Sequence, residues 1–274
     1  MAHILIAGLG DLGRQLAALL QTDGHRISGI RRGSEAPSGV DLYAQDLSRD
    51  PVMLPPDPVD LLCVIMTPAG RDEAGYRQAY ITNPLRLLDA LAVQQPLPPV
   101  LFVSSTAVYG EEQGWVDEDT PPRPVRFNGR LLLAAEEELS VRTLATSVRF
   151  TGIYGPGRTR LLTLARRVAE GEEALPEARY GNRIHSADCA GLLAHLARRW
   201  LANDAPPGVV IGTDEAPVSN HEVLAWLAAQ QGLSLPVPTD AAPGGRRVRS
   251  QYLAAGHYPL RYPDYKAGYA GRLG

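Results

Sequence analysis

Residues Gly8-Leu9-Gly10-Asp11-Leu12-Gly13 constrain this chain more than any other stretch. They follow a short apolar run, His3 to Ala7, that reads as a buried strand. They open an amphipathic stretch from Asp11 to about Thr22, with Leu12, Leu16, Leu19 and Leu20 on one face. A G-x-G-x-x-G between a strand and a helix is the pattern of a dinucleotide-binding turn. Gly8 permits the tight turn, Gly10 has no side chain to block a pyrophosphate, and Gly13 lets the helix pack on the strand. The helix N-terminus presents unpaired N–H groups and a partial positive charge to the phosphates, with Asp11 and Leu12 in its first turn. An ordinary glycine turn is the bland alternative.

The rest of the chain supplies the context such a turn needs. His25 to Ile30, Val59 to Ile65, Val100 to Val103 and Thr146 to Phe150 read as strands. Gly75 to Val93 and Leu131 to Leu144 have helical periodicity. Alternation of this kind over about 150 residues predicts a parallel sheet with helices on both faces, an α/β doubly wound fold. Ligands of such sheets bind outside the carboxyl ends of the strands. Beyond Phe150, Leu161 to Glu170, Ser186 to Leu201 and Asn220 to Gln230 read as helices and Gly208 to Ile211 as a strand. The tail from Pro236 is rich in Pro, Gly, Arg and Tyr.

Composition excludes several classes. The 274 residues suit one large domain, or one domain with a smaller lobe. A net charge of -3 gives no basic surplus for nucleic acid or an anionic membrane. No apolar run is long enough to span a bilayer. The N-terminus lacks the basic start and cleavage site of a signal peptide, and Cys63 and Cys189 have no metal-ligand spacing. A reduced, cytoplasmic protein is therefore expected. Of the 27 basic residues, all but Lys266 are arginine.

The second strand ends Gly29-Ile30-Arg31-Arg32-Gly33, without the acid that usually holds a ribose 2′-hydroxyl in an NAD site. Two guanidiniums suit a 2′-phosphate, so Arg31 and Arg32 predict NADP, with NAD the lesser alternative. A solvated basic loop is the other explanation.

Several further motifs appear in order. They are Asp46-Leu47, Asn83, Val103 to Gly110 (VSSTAVYG), Arg149 to Gly157 (RFTGIYGPG), Asn182 to Asp188 (NRIHSAD), and Arg261 to Tyr265 (RYPDY). Together they resemble the extended short-chain dehydrogenase/reductases of the NAD(P)-dependent epimerase/dehydratase family, and within it an atypical bacterial, YeeZ-like subgroup. The resemblance covers nearly the whole chain. It implies a Rossmann domain over 1–157 and 183–211, and a small C-terminal substrate lobe over 158–182 and 212–274. It implies that Asp46 meets the adenine amine beside Leu47, and that Thr67 and Ser104 join the cofactor set.

The same resemblance exposes a gap. Family enzymes use Ser/Thr, Tyr and Lys, the Lys lowering the pKa of a Tyr that transfers the proton. Ser105, with Thr106 beside it, matches the serine. The Tyr-x-x-x-Lys is missing: the matching region reads Pro124-Val125-Arg126-Phe127-Asn128-Gly129-Arg130, and no tyrosine lies between Trp115 and Gly152. Arginine is no simple substitute for a lysine that tunes a pKa. Tyr154 and His185 are the substitute candidates, each with a packing role as its alternative; Tyr76 and Tyr109 are further tyrosines near the expected cleft. Asp188 reads as a first-turn acid of its helix. Arg246, Arg247 and Arg249 would suit an anionic ligand, or form a solvated stretch. The expectation is an NADP-dependent oxidoreductase or epimerase/dehydratase acting on a small molecule, and a homodimer. The alternative is a non-catalytic NADP-binding sensor or scaffold.

Overall fold

A computed structural model describes residues 1–238 and 242–270. The chain opens with β1 (His3–Ala7), α1 (Asp11–Thr22), β2 (Arg26–Arg31), β3 (Val40–Ala44), β4 (Leu61–Val64), α2 (Glu73–Arg77), a π-helical turn (Gln78–Thr82), α3 (Asn83–Gln94), β5 (Val100–Ser105) and a 3-10 turn (Thr106–Tyr109). Then come β6 (Gly114–Val116), α4 (Phe127–Arg142), β7 (Ala145–Phe150), β8 (Gly152–Tyr154), α5 (Arg160–Ala169), β9 (Tyr180–Gly181), β10 (Arg183–His185), α6 (Ser186–Leu201) and β11 (Val209–Gly212). The last elements are β12 (Val218–Ser219), α7 (Asn220–Gln230), β13 (Arg246–Val248), α8 (Gln251–Ala254) and α9 (Tyr265–Tyr269).

Seven strands form the main sheet, in the order β11-β7-β5-β4-β1-β2-β3. The α/β sheet expected from the alternation is the one the chain builds. β1 pairs in parallel with β2, Ile4 opposite Ile27, and with β4, Ile4 opposite Leu61. Every residue of β1 and β4 is buried, as strands covered by helices on both faces require. From β1 the chain winds outward one way through β2 and β3. It then returns to β4 and winds the other way, so the reversal falls between β1 and β4. That is where a sheet of this kind leaves a crevice.

By contacts the chain falls into two compact units. The first comprises 1–110, 121–149 and 190–210; the second comprises 111–120, 150–189 and 211–274. Residues 111–120 group with the second because β6 pairs with β13 in parallel, Gly114 opposite Arg246. Residues 183–189 group there because β10 pairs with β8, Arg183 opposite Gly152. The second unit has its own core, in which Leu224, Leu227 and Ala228 of α7 meet Ala165 of α5 and the rings of Tyr154, Tyr265 and Tyr269.

The structure adds to the sequence pattern in the first unit. α4 starts at Phe127, a turn before Leu131, with Pro121, Pro122 and Pro124 outside any helix or strand and Arg126 as its N-cap. The helix expected from Gly75 to Val93 runs unbroken from α2 to α3, with a π turn in its middle. β3 has no counterpart in the pattern, because a half-exposed edge strand carries little apolar signal.

Candidate functional site

The first unit carries a cleft of about 450 Å³ at the reversal between β1 and β4. Its floor is Gly8, Leu9 and Gly10. One wall is Ile30 to Gly33 with Gln45 to Ser48; the other is Ile65, Met66, Thr67 and Ala69, with Gln78, Ala79 and Asn83.

The three glycines of the turn have distinct physical duties. Gly8 has φ +109°, and a Cβ there would lie 2.3 Å from the Ile65 carbonyl oxygen. A Cβ on Gly13 would lie 2.2 Å from the Gly8 carbonyl oxygen, so this glycine sets the contact between α1 and the turn. A Cβ on Gly10 would meet nothing within 4 Å. Gly10 is the N-cap of α1, and no side chain caps that N-terminus. An uncapped helix start facing an open cleft is a place for an anion. Leu12 is buried under the turn, and exposed Asp11 accepts a hydrogen bond from Gln15 at 2.8 Å.

At the other end of the cleft the two arginines differ. Arg31 Nη1 donates to the Glu35 carbonyl at 2.8 Å, and its guanidinium lies against Gly33. Arg32 is exposed on the cleft wall. Asp46 Oδ1 accepts from the Ser48 hydroxyl at 2.6 Å and from its backbone N–H at 2.9 Å. These bonds hold the Asp46 carboxyl below its ordinary range, and the charges of Arg32 and Arg49 add to the effect. The loop is fastened from beneath: Arg86 of α3 donates to the carbonyls of Leu47 and Asp50, and Gln45 exchanges two hydrogen bonds with the Met53 backbone. Nothing in the local sequence points to Arg86, Gln45, or the Gln78–Asn83 bond across the π turn at 2.5 Å. Gly29 also shapes the turn, since a Cβ there would collide with the Leu9 side chain 1.9 Å away. A glycine inside an apolar strand was the available signal for Gly29.

Ser105 ends β5, and its hydroxyl accepts the Ala107 N–H at 3.2 Å, capping the 3-10 turn. Thr106 is buried in that turn. Ser104 points elsewhere: its hydroxyl donates to Glu136 Oε1 at 2.5 Å. Arg149 grips the same carboxylate through Nε and Nη2, the latter at 2.6 Å, and its Nη1 donates to the Tyr109 hydroxyl at 2.9 Å. All four residues are buried. The first turn of α4 lies against the 3-10 turn, so closely that a Cβ on Gly129 would be 2.5 Å from the Ala107 carbonyl oxygen. The residues there are Phe127, Asn128 and Arg130, and Arg130 donates to the Val125 carbonyl at 2.9 Å.

Tyr154 and His185 belong to the second unit. The Tyr154 hydroxyl donates to the Asp264 carbonyl at 3.0 Å, its ring stacks on Tyr269, and burial pushes its pKa up. His185 is fully buried between the rings of Tyr154 and Tyr262, and its Nδ1 accepts the Ala187 N–H at 3.2 Å. Asp188 lies in the first turn of α6, as the pattern suggested, and it also fastens the tail. Its two oxygens accept the N–H groups of Arg261 and Tyr262 at 2.7 and 3.0 Å. In the tail, Arg247 lies over the rings of Trp115 and Tyr180, and Arg249 pairs with Asp117 at 2.8 Å. Among the described residues no helix is long and apolar enough to cross a membrane, and no cluster of His, Cys, Asp and Glu could hold a metal ion.

Residues 4–212 match the family model described as the NAD dependent epimerase/dehydratase family. Protein YeeZ of Escherichia coli (strain K12) is 34% identical over 209 residues, which span 72% of this chain and 73% of YeeZ. A solved structure from Methylobacillus flagellatus, named for the NAD-dependent epimerase/dehydratases, is 36% identical; its TM-score is 0.83, covering 99% of this chain and 97% of that one. MoeE5, solved with UDP-glucuronic acid and NAD, shares the fold alone: 20% identity and a TM-score of 0.78, over 99% of this chain and 97% of MoeE5.

Proposed function

Because the chain belongs to the NAD-dependent epimerase/dehydratase family, we propose that it binds NADP(H) in the cleft between β1 and β4 and works on a small molecule, as an oxidoreductase or an epimerase/dehydratase. The observation that carries this reading is the uncapped start of α1 at Gly10, open to a cleft whose far wall presents Arg32. The α1 amides would take the pyrophosphate. Arg32, whose guanidinium is exposed on the cleft wall, would take the 2′-phosphate, and Arg31, fastened to Glu35, would hold the wall. Asp46, kept ionised by Ser48, would accept from the adenine amine. A bound nicotinamide supplies or removes a hydride. Ser105 would donate its hydroxyl proton to a substrate oxygen, since its bond to Ala107 uses only a lone pair. MoeE5 is bound to NAD, which makes NAD the competing cofactor.

A second reading rests on a specific observation. The first turn of α4 carries neither the tyrosine nor the lysine of the active family members, and Tyr154 and His185 are built into a ring stack. That favours a cofactor-binding sensor or scaffold without turnover. NADPH consumption against a panel of ketones, aldehydes and nucleotide sugars separates the two. Under the enzymatic reading at least one substrate is turned over, and Ser105→Ala slows it by about 100-fold or more with NADPH binding intact. Tight NADPH binding with no turnover across the panel would support the sensor.

A further inference from the structure

The tail of the second unit is fastened beside a buried acid that no part of the cofactor reading uses. Asp214 follows β11 and is 3% exposed. Its N–H donates to the Arg183 carbonyl at 2.6 Å, and its Oδ1 accepts the Ala216 N–H at 3.2 Å. Among the described residues its Oδ2 has no hydrogen-bond partner. The next N–H, of Glu215, donates to the Pro263 carbonyl at 3.0 Å and so ties this turn to the tail. The tail has three more ties. Asp188 accepts the N–H groups of Arg261 and Tyr262, Tyr154 donates to the Asp264 carbonyl, and Tyr265 of α9 donates to Glu222 at 3.0 Å.

Arg183 stands on the other side of the joint. It is 5% exposed, its guanidinium lies 5.6 Å from the centre of the Tyr265 ring, and its Nη1 has no partner among the described residues. Arg183 and Asp214 are near enough to feel each other's charge, yet they make no ion pair. The Tyr269 hydroxyl is buried as well and has no hydrogen-bond partner among the described residues.

We propose that Asp214 is a proton-operated clasp for the C-terminal segment 261–269, holding it docked when protonated and releasing it when ionised. A carboxylate cut off from water with one oxygen unbonded is expensive, so the docked arrangement prefers the neutral acid. The groups that face Asp214 are Arg183, which favours the ionised form, and Glu215, Asp264 and Tyr154, which do not. Burial is the largest influence and pushes the carboxyl up to about 7. Once the segment lifts, Asp214 is hydrated and its pKa returns to about 4. The lifted form therefore binds fewer protons than the docked one. Its population relative to the docked form grows by up to tenfold per unit between about pH 4 and pH 7, and levels off above about pH 7. The proton leaves to solvent, and the freed carboxylate can reach Arg183.

Amide hydrogen exchange of the full chain, corrected for the intrinsic pH dependence of exchange, tests the clasp, with the amides of β1 as reference. Between about pH 5 and pH 7.5 the protection of 261–269 should fall by about tenfold or more relative to β1, with little further change above about pH 8. In Asp214→Asn, which cannot ionise, protection of the segment should stay at its low-pH value at both pH values. Equal wild-type protection at the two pH values would overturn the proposal, as would an unchanged pH dependence in Asp214→Asn. If the variant fails to fold, the wild-type comparison still decides. The test needs no cofactor, so its outcome is independent of the NADP(H) reading.

Discussion

The residues that shape the candidate site differ in how visible they are in the sequence. Gly8, Gly10 and Gly13 are legible because each spacing has a steric reason, and the structure supplies that reason atom by atom. Glu136 and Arg149 were not legible as a pair. Thirteen residues separate them, one sits on a helix and the other on a strand, and nothing local in either stretch points to its partner. Their ion pair is nonetheless deeply buried, with side chains 7% and 5% exposed. Ser104 and Tyr109 complete its hydrogen bonds. Breaking such a pair leaves a buried charge without compensation. Glu136→Ala should therefore lower the unfolding free energy by about 3–5 kcal/mol, read from urea denaturation. A loss below about 1 kcal/mol would mean that the network is not holding the sheet to α4.

At the scale of elements, legibility follows burial. β4 is a continuous apolar run and β1 and β5 are mostly apolar, and α1, α6 and α7 begin and end where the sequence pattern places them, because strands and helices packed on a core carry its periodicity. The strands β6, β9, β12 and β13 are two or three residues long, and their pairing depends on partners far along the chain. No window of local sequence contains that information. The π turn between α2 and α3 was hidden for a different reason: its residues suit an ordinary helix, and the extra residue per turn shows only in the backbone. The start of α1 is the element on which the cofactor reading rests, and it can be blocked without disturbing the fold. The Gly10 backbone, at φ -81°, is open to any L residue, and a Cβ there meets open space. Gly10→Val should cost at most about 1 kcal/mol of stability. It should weaken NADPH binding by about 100-fold, or 2.7 kcal/mol, by placing a side chain where the pyrophosphate belongs. Unchanged affinity in this variant would move the nucleotide away from α1.

For the whole molecule, the sequence and the structure agree on a doubly wound sheet with a cleft at the reversal between β1 and β4, and the family match spans that sheet. The catalytic half of the account is less legible. A missing tyrosine and lysine can be read directly from the sequence, but what replaces them depends on how side chains gather in space. The central claim is the cofactor, and its most direct test is an equilibrium titration with NADPH and NADH in parallel, followed by nicotinamide fluorescence, on the wild type and on Arg32→Ala. The account predicts NADPH bound at least about tenfold more tightly than NADH, a margin of about 1.4 kcal/mol, and predicts that most of this margin disappears in Arg32→Ala. Equal affinity for the two cofactors, or a preference that survives the loss of Arg32, would contradict the assignment of the 2′-phosphate. Binding of neither would contradict the cofactor reading as a whole.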